Sequence, residues 1–187
     1  MRVTFTRLPD HQRGWALIQR DDGVCYRLGG GPVTAVLPHD LVHFTVERAL
    51  GMPDGLWGAI AAGVVFRSMS HHGGRRPPRA AELSAALLRA NRDRVQRAEL
   101  VGGFVERIAA EPHPTAAWIA QFARAYLTTL PPGDLDLDAA AGAADAVRRM
   151  GEVWRTLSVG EELCVDWPAR LRLPPVRPGS SRPRRRP

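Results

Sequence analysis

The chain has 187 residues, 44% hydrophobic and 24% charged, with a formal net charge of +7. This length and composition suit one folded domain with a real core and exclude a low-complexity or wholly disordered chain. The charge does not mark a basic nucleic-acid-binding domain: beyond residue 169 lie Arg170, Arg172, Arg177, Arg182, Arg184, Arg185, Arg186 and no acid, so the remainder is close to neutral.

Every basic residue is Arg, and Lys is absent. Schiff-base catalysis and a P-loop with its phosphate-binding lysine are thereby excluded. Arginine without lysine, beside abundant Ala, Gly and Pro, is the composition expected of a GC-rich bacterial gene. Arginine content therefore carries little functional weight. Cys25 and Cys164 are the only cysteines; they make no zinc-finger or CxxC spacing and read as two buried thiols on strands. No apolar signal core opens the chain, and no stretch approaches the roughly 18 apolar residues of a membrane span. A cytoplasmic protein with no membrane partner is expected.

In chain order, residues 3–8 alternate apolar and polar as a half-buried strand does. Residues 15–19 and 24–28 flank Asp21-Asp22-Gly23, a hairpin signal. Gly29-Gly30-Gly31-Pro32 lacks the spacing of a phosphate-binding loop and reads as a turn, followed by a strand over 33–37. Pro38 opens a helix over 39–50, with Gly51 as its stop. Asp54 is the expected cap of a second helix running from Gly55 to about Met69. A basic loop over 70–78 follows.

Residues 79–111 are helical and charged, with an interruption expected at Gly102-Gly103. Arg79, Arg89, Arg92, Arg94 and Arg97 interleave there with Glu82, Asp93 and Glu99, the pattern of a solvated face. After Pro112-His113-Pro114, a helix over 115–129 places Trp118, Phe122 and Tyr126 on one side, which reads as core. The last helix spans about 136–157. Residues 159–167 alternate as a strand that returns to the N-terminal sheet, since a lone strand leaves its backbone unpaired.

The fold class is α+β: a small antiparallel sheet from the N-terminal strands plus the C-terminal strand, packed against about five helices. One domain is expected over 1–169. An Arg/Pro-rich disordered tail is expected over 170–187. Its Arg182-Pro183-Arg184-Arg185-Arg186 run suits weak, non-specific nucleic-acid contact at low salt, with no base-reading element. The other expected partner is a protein.

The chemistry concentrates in His39-Asp40-Leu41-Val42-His43-Phe44-Thr45-Val46-Glu47. On a helix, positions i, i+4 and i+8 share a face, so His39, His43 and Glu47 form one polar stripe. A helical wheel puts His39 within the buried arc, His43 on its edge, and Glu47 and Asp40 further out. Two imidazoles at i and i+4 converge well on one metal ion, zinc first among candidates. Glu47, about 12 Å along the axis from His39, is too far to share that ion. It suits a hydrogen bond that orients His43 from behind. Asp40 and Glu47 are the candidate acid–base groups. The third ligand is expected from His71 or His72, with His11 and His113 as weaker candidates.

The stretch resembles the His-Glu-x-x-His helix of zincin metalloproteases over five residues, with Asp40 where the catalytic Glu stands. Asp is one methylene shorter and holds an attacking water differently, so no zincin function is carried over. Two readings follow: a metal-binding protein with its site on the His39–Glu47 helix, or a non-catalytic interaction domain in which this stretch is structural.

Overall fold

The computed structural model describes residues 1–9, 14–29, 37–131 and 134–174. Residues 33–36 of the strand expected over 33–37, residues 30–32 of the turn expected over 29–32, His11 and the Arg run at 182–186 lie outside the described residues.

Five strands form one antiparallel sheet: β1 (Arg2–Thr6), β2 (Trp15–Gln19), β3 (Cys25–Gly29), β4 (Met69–Gly73) and β5 (Glu162–Asp166), in spatial order β4-β3-β2-β1-β5. The α+β architecture is thus as the patterning implies, with the C-terminal strand pairing beside β1. The β2–β3 hairpin turns at Asp21-Asp22-Gly23. Gly23 takes φ +80°, a region that glycine enters without a Cβ penalty. The Asp22 carboxylate accepts from the Val24 amide at 3.2 Å.

Register places Val3, Phe5, Ala16, Ile18, Tyr26 and Leu28 on one face of the sheet, all buried. The other face carries Arg2 paired with Asp166 at 3.3 Å, and the Arg27 guanidinium 4.6 Å over the Trp15 ring. Cys25 and Cys164 belong to this outer face. Cys25 is half-buried, Cys164 is exposed, and both are free thiols, which corrects the expectation of two buried thiols. β3 and β5 are three interstrand steps apart, about 14 Å. That is well beyond the ~7 Å Cα limit of a disulfide.

Among the described residues the helices are α1 (His39–Ala49), α2 (Leu56–Ala62), α3 (Ala80–Ala90), α4 (Arg92–Ala110), α5 (Ala116–Tyr126) and α6 (Leu137–Thr156). α1 is the hub. It packs against α2, α4 and α6, and every residue from Leu41 to Glu47 is buried. Phe44 ties it to the sheet side in edge-on contacts with Phe5, Trp57 and Trp167, at centroid distances of 6.2, 5.3 and 5.3 Å. Arg148 of α6 fastens the opposite layer. Its guanidinium donates to the carbonyls of Ile108, Ala109 and Glu111 at the end of α4.

Three local expectations differ. The second helix stops at Ala62, because Gly63 takes φ +114° and turns the chain out of the helix. The chain then forms β4 instead of a loop, with Met69 opposite Leu28 and His71 opposite Tyr26. The long helical stretch breaks at Asn91, not at Gly102-Gly103, and α4 runs unbroken through both glycines. Finally, the described chain continues past Arg170 to residue 174. Leu171 and Leu173 are buried, the Leu173 amide donates to the Gly58 carbonyl at 3.3 Å, and Arg172 pairs with Asp21 at 2.7 Å.

Phe44→Ala removes the contact that joins sheet and helices. Urea denaturation is expected to show a loss of about 3–5 kcal/mol, the range for a buried Phe truncation. A loss below about 1 kcal/mol would show that α1 is not the hub of the core.

Candidate metal centre

Pro38 accepts the first amide hydrogen bonds of α1, from Leu41 and Val42, so the helix opens with His39 in its first turn. His39 is half-buried and His43, one turn on, is 2% exposed. Their rings meet edge-on at 4.5 Å between centroids. Burial deepens from His39 to Glu47 as α2, α4 and α6 close around that part of α1, the reverse of the wheel expectation that put His39 deepest and Glu47 toward solvent.

His43 faces α4. Its Nε2 lies 3.5 Å from Glu99 Oε2. The ring occupies the space over Gly102, where an added Cβ would stand 2.7 Å from Nδ1 and closer still to Cε1. Gly102 is therefore the residue that lets α4 approach the imidazole. Its neighbour Gly103 serves α5 in the same way, receiving the Tyr126 hydroxyl where a Cβ would stand 2.6 Å away. The expected aromatic row is half-buried: Phe122 stacks on Phe104 at 5.3 Å, Tyr126 lies 6.1 Å from it, and Trp118 stacks on Phe122 at 5.0 Å.

His39, His43 and Glu99 each offer one ligand atom, and these atoms lie within 4.8 Å of one another. The three residues form a group able to hold a metal ion. Tetrahedral zinc with arms of about 2.0 Å sets its ligands about 3.3 Å apart, so the 3.5 Å separation of His43 and Glu99 needs little adjustment. The third member of this group is Glu99; His71 and His72 lie outside it. Those two stand on β4, where His71 Nε2 bonds to the Gly74 carbonyl at 2.9 Å and its ring packs against Tyr26. They are drawn away because α2 ends at Gly63 and the following chain becomes sheet. His113 is exposed and also outside the group.

Glu47 is wholly buried and does not hydrogen-bond His43. Its Oε1 is 4.0 Å from His43 Nδ1, and Nδ1 is a buried side-chain atom with no hydrogen-bond partner. The carboxylate instead caps α2, accepting from the amides of Leu56 at 2.9 Å and Trp57 at 3.0 Å. Asp54 does not fill that role; Gly55 is the N-cap, with no side-chain bond of its own. A Cβ at Gly55 would collide with the Glu47 carboxyl group. Asp40 is outside the ligand group; its backbone carbonyl accepts from Trp57 Nε1 at 3.1 Å, so the start of α1 also holds α2.

Burial governs the protonation of both central groups. It pushes His43 down to about 4, helped by the charge of His39 and opposed by Glu106. His43 is therefore neutral near pH 7, the form that binds metals. Burial pushes Glu47 up to about 8, outweighing the two amide hydrogen bonds that favour its charged form. Glu99 is also raised by burial, with His39 acting the other way.

Comparison of the chain with protein-family models, curated proteins and solved structures returns no match. The functional reading rests on the residues themselves. No helix among the described residues is long and apolar enough to cross a membrane.

Two predictions follow from the buried pair. In metal-free protein, Glu47 holds its proton more tightly folded than unfolded, so its contribution to stability falls from about pH 4.5 to about pH 8. His43 binds its proton more weakly folded, so its contribution rises from about pH 4 to about pH 6.5. The two oppose each other below pH 6.5. Above it, the larger shift, that of Glu47, dominates, and stability should decline toward pH 8. Urea titrations with a chelator present should show this decline in the native protein and lose it in Glu47→Gln. An unchanged slope in the variant would refute the assignment. Gly102→Val drives a side chain into the imidazole; thermal melting should reveal a loss of about 1–3 kcal/mol, whereas a neutral result would mean that α4 does not rest on His43.

Proposed function

We propose that this chain is a metal-binding protein holding one divalent ion, zinc first among candidates, through His39, His43 and Glu99. The observation that carries the reading is the convergence of two imidazoles and a carboxylate whose ligand atoms all lie within 4.8 Å. The chemistry of the set agrees with it. His43 is kept neutral by burial, and the two-His, one-carboxylate set is a catalytic zinc pattern that leaves a fourth position for water.

In this reading His43 binds through Nε2, the nitrogen facing Glu99, and Nδ1–H points toward Glu47. Glu47 then stands behind His43 at 4.0 Å, beyond hydrogen-bond reach. It also fastens α2. Glu99 is half exposed, so the fourth position opens toward solvent at the α4 surface. A water bound there would have its pKa lowered to about 7, and metal-assisted hydrolysis is the first reaction class to screen. The non-catalytic interaction domain is the competing reading. One observation favours it: both Glu47 oxygens are engaged in holding α2, a purely structural task.

Calorimetric titration of chelator-stripped protein with zinc alone separates the two. One site per chain is expected. His39→Ala, His43→Ala and Glu99→Gln should each weaken it at least tenfold, while His71→Ala and His72→Ala leave it unchanged. No uptake by the folded native protein, or uptake lost through His71 or His72, would overturn the assignment. Because His43 is buried, the exposed Glu99→Gln variant is the decisive one, since it should fold normally.

A further inference from the structure

We infer a second, independent site: a groove between α1 and α6 that takes a small amphipathic anion, an alkyl chain ending in a carboxylate or an equivalent acid. The groove encloses about 380 Å³, inside the roughly 300–1,000 Å³ range of small-ligand pockets. Phe44 and Thr45 are buried in its wall. Ala146, Met150 and Val153 line the α6 side, and Arg48 and Arg149 also line it.

Three observations fix the class of ligand. The lining is overwhelmingly apolar, and Val153, at 47% exposed, is one of the few large hydrophobic side chains left in solvent among the described residues. The Thr45 hydroxyl donates to the Leu41 carbonyl at 2.8 Å and is not free to donate elsewhere. The remaining polar side chains are two guanidiniums on facing helices, with no acid among the lining residues. Neither Arg48 nor Arg149 makes a hydrogen bond or ion pair among the described residues. Arg148, next along α6, is fully engaged at the end of α4. An apolar groove with two uncompensated cations is complementary to an apolar chain with an anionic end. The same charge opposes the Arg-rich 175–187 segment as an occupant, and a second copy would bring two more arginines to the contact.

The test uses full-length protein with methyl-13C methionine and sodium decanoate kept below its micelle-forming concentration. Met1, Met52, Met69 and Met150 are the four methionines, and only Met150 lines the groove. Decanoate should shift the Met150 signal saturably and leave the other three in place. Affinity should rise about threefold to fourfold per added methylene from octanoate to decanoate, as burial of each CH2 requires. Ala146→Trp, which fills the groove from a half-buried position, should weaken binding at least tenfold. Arg48→Gln with Arg149→Gln should weaken decanoate at least fivefold and leave decanol unchanged. A Met150 signal that does not move, equal binding of decyltrimethylammonium, or sedimentation showing that Ala146→Trp converts a dimer to a monomer would each overturn the proposal. None of these outcomes depends on metal binding.

Discussion

The structure depends on a carboxylic acid buried where water does not reach. Glu47 sits wholly inside, on the most enclosed helix of the fold, with its oxygens on the Leu56 and Trp57 amides. α2 is only seven residues long, too short to persist without tertiary support. Glu47 supplies that support across the α1–α2 turn, and Gly55 leaves the room for it. Trp57, so placed, packs against Phe5 and Phe44 and donates to the Asp40 carbonyl. One polar contact therefore sets the position of a large part of the aromatic core. Burying this group is costly, and the raised pKa of Glu47 expresses that cost as retention of a proton.

The same enclosure prepares His43. A buried imidazole with an unpartnered Nδ1 is an unusual thing for a folded protein to keep. With a metal ion at Nε2, the hydrogen on Nδ1 would face Glu47 across 4.0 Å, beyond hydrogen-bond reach, so the unpartnered atom is a cost that this site carries. In the proposed reading, structural and chemical roles meet on one helix: Glu47 holds α2 and stands behind His43, while His39 and His43 offer nitrogens toward α4. The rest of the site is supplied by α4, which Gly102 allows close enough for Glu99 to reach in.

The sheet and most helices were legible because their signals are local. Asp22-Gly23 between apolar runs marks the hairpin, and Leu163 and Val165 alternating with Glu162, Cys164 and Asp166 mark β5. β4 was not legible, since Ser70-His71-His72-Gly73 has no apolar alternation; it is an edge strand held by backbone pairing to β3. Two of the three members of the candidate group were legible too. His39 and His43 declare themselves by four-residue spacing. Glu99 did not, because it lies 56 residues beyond His43 on a helix whose alternating charges resemble a solvated face. The available signal was Gly102-Gly103. A glycine pair inside an otherwise helical pattern marks a close approach as readily as a break, and here it receives an imidazole and a phenol. Glu47 was placed on the right stripe but given the wrong hydrogen bond, because a helical wheel describes one helix and α2 is what captures the carboxylate.

The most direct test of the proposed centre is a crystal of the protein grown with zinc and measured at the zinc absorption edge. The account predicts one strong anomalous peak about 2.0–2.2 Å from a nitrogen of His39, from Nε2 of His43 and from a carboxylate oxygen of Glu99. A peak at His71 or His72, or none near α1 in crystals that bind zinc elsewhere, would contradict it and leave the His39–Glu47 helix as packing and capping chemistry alone.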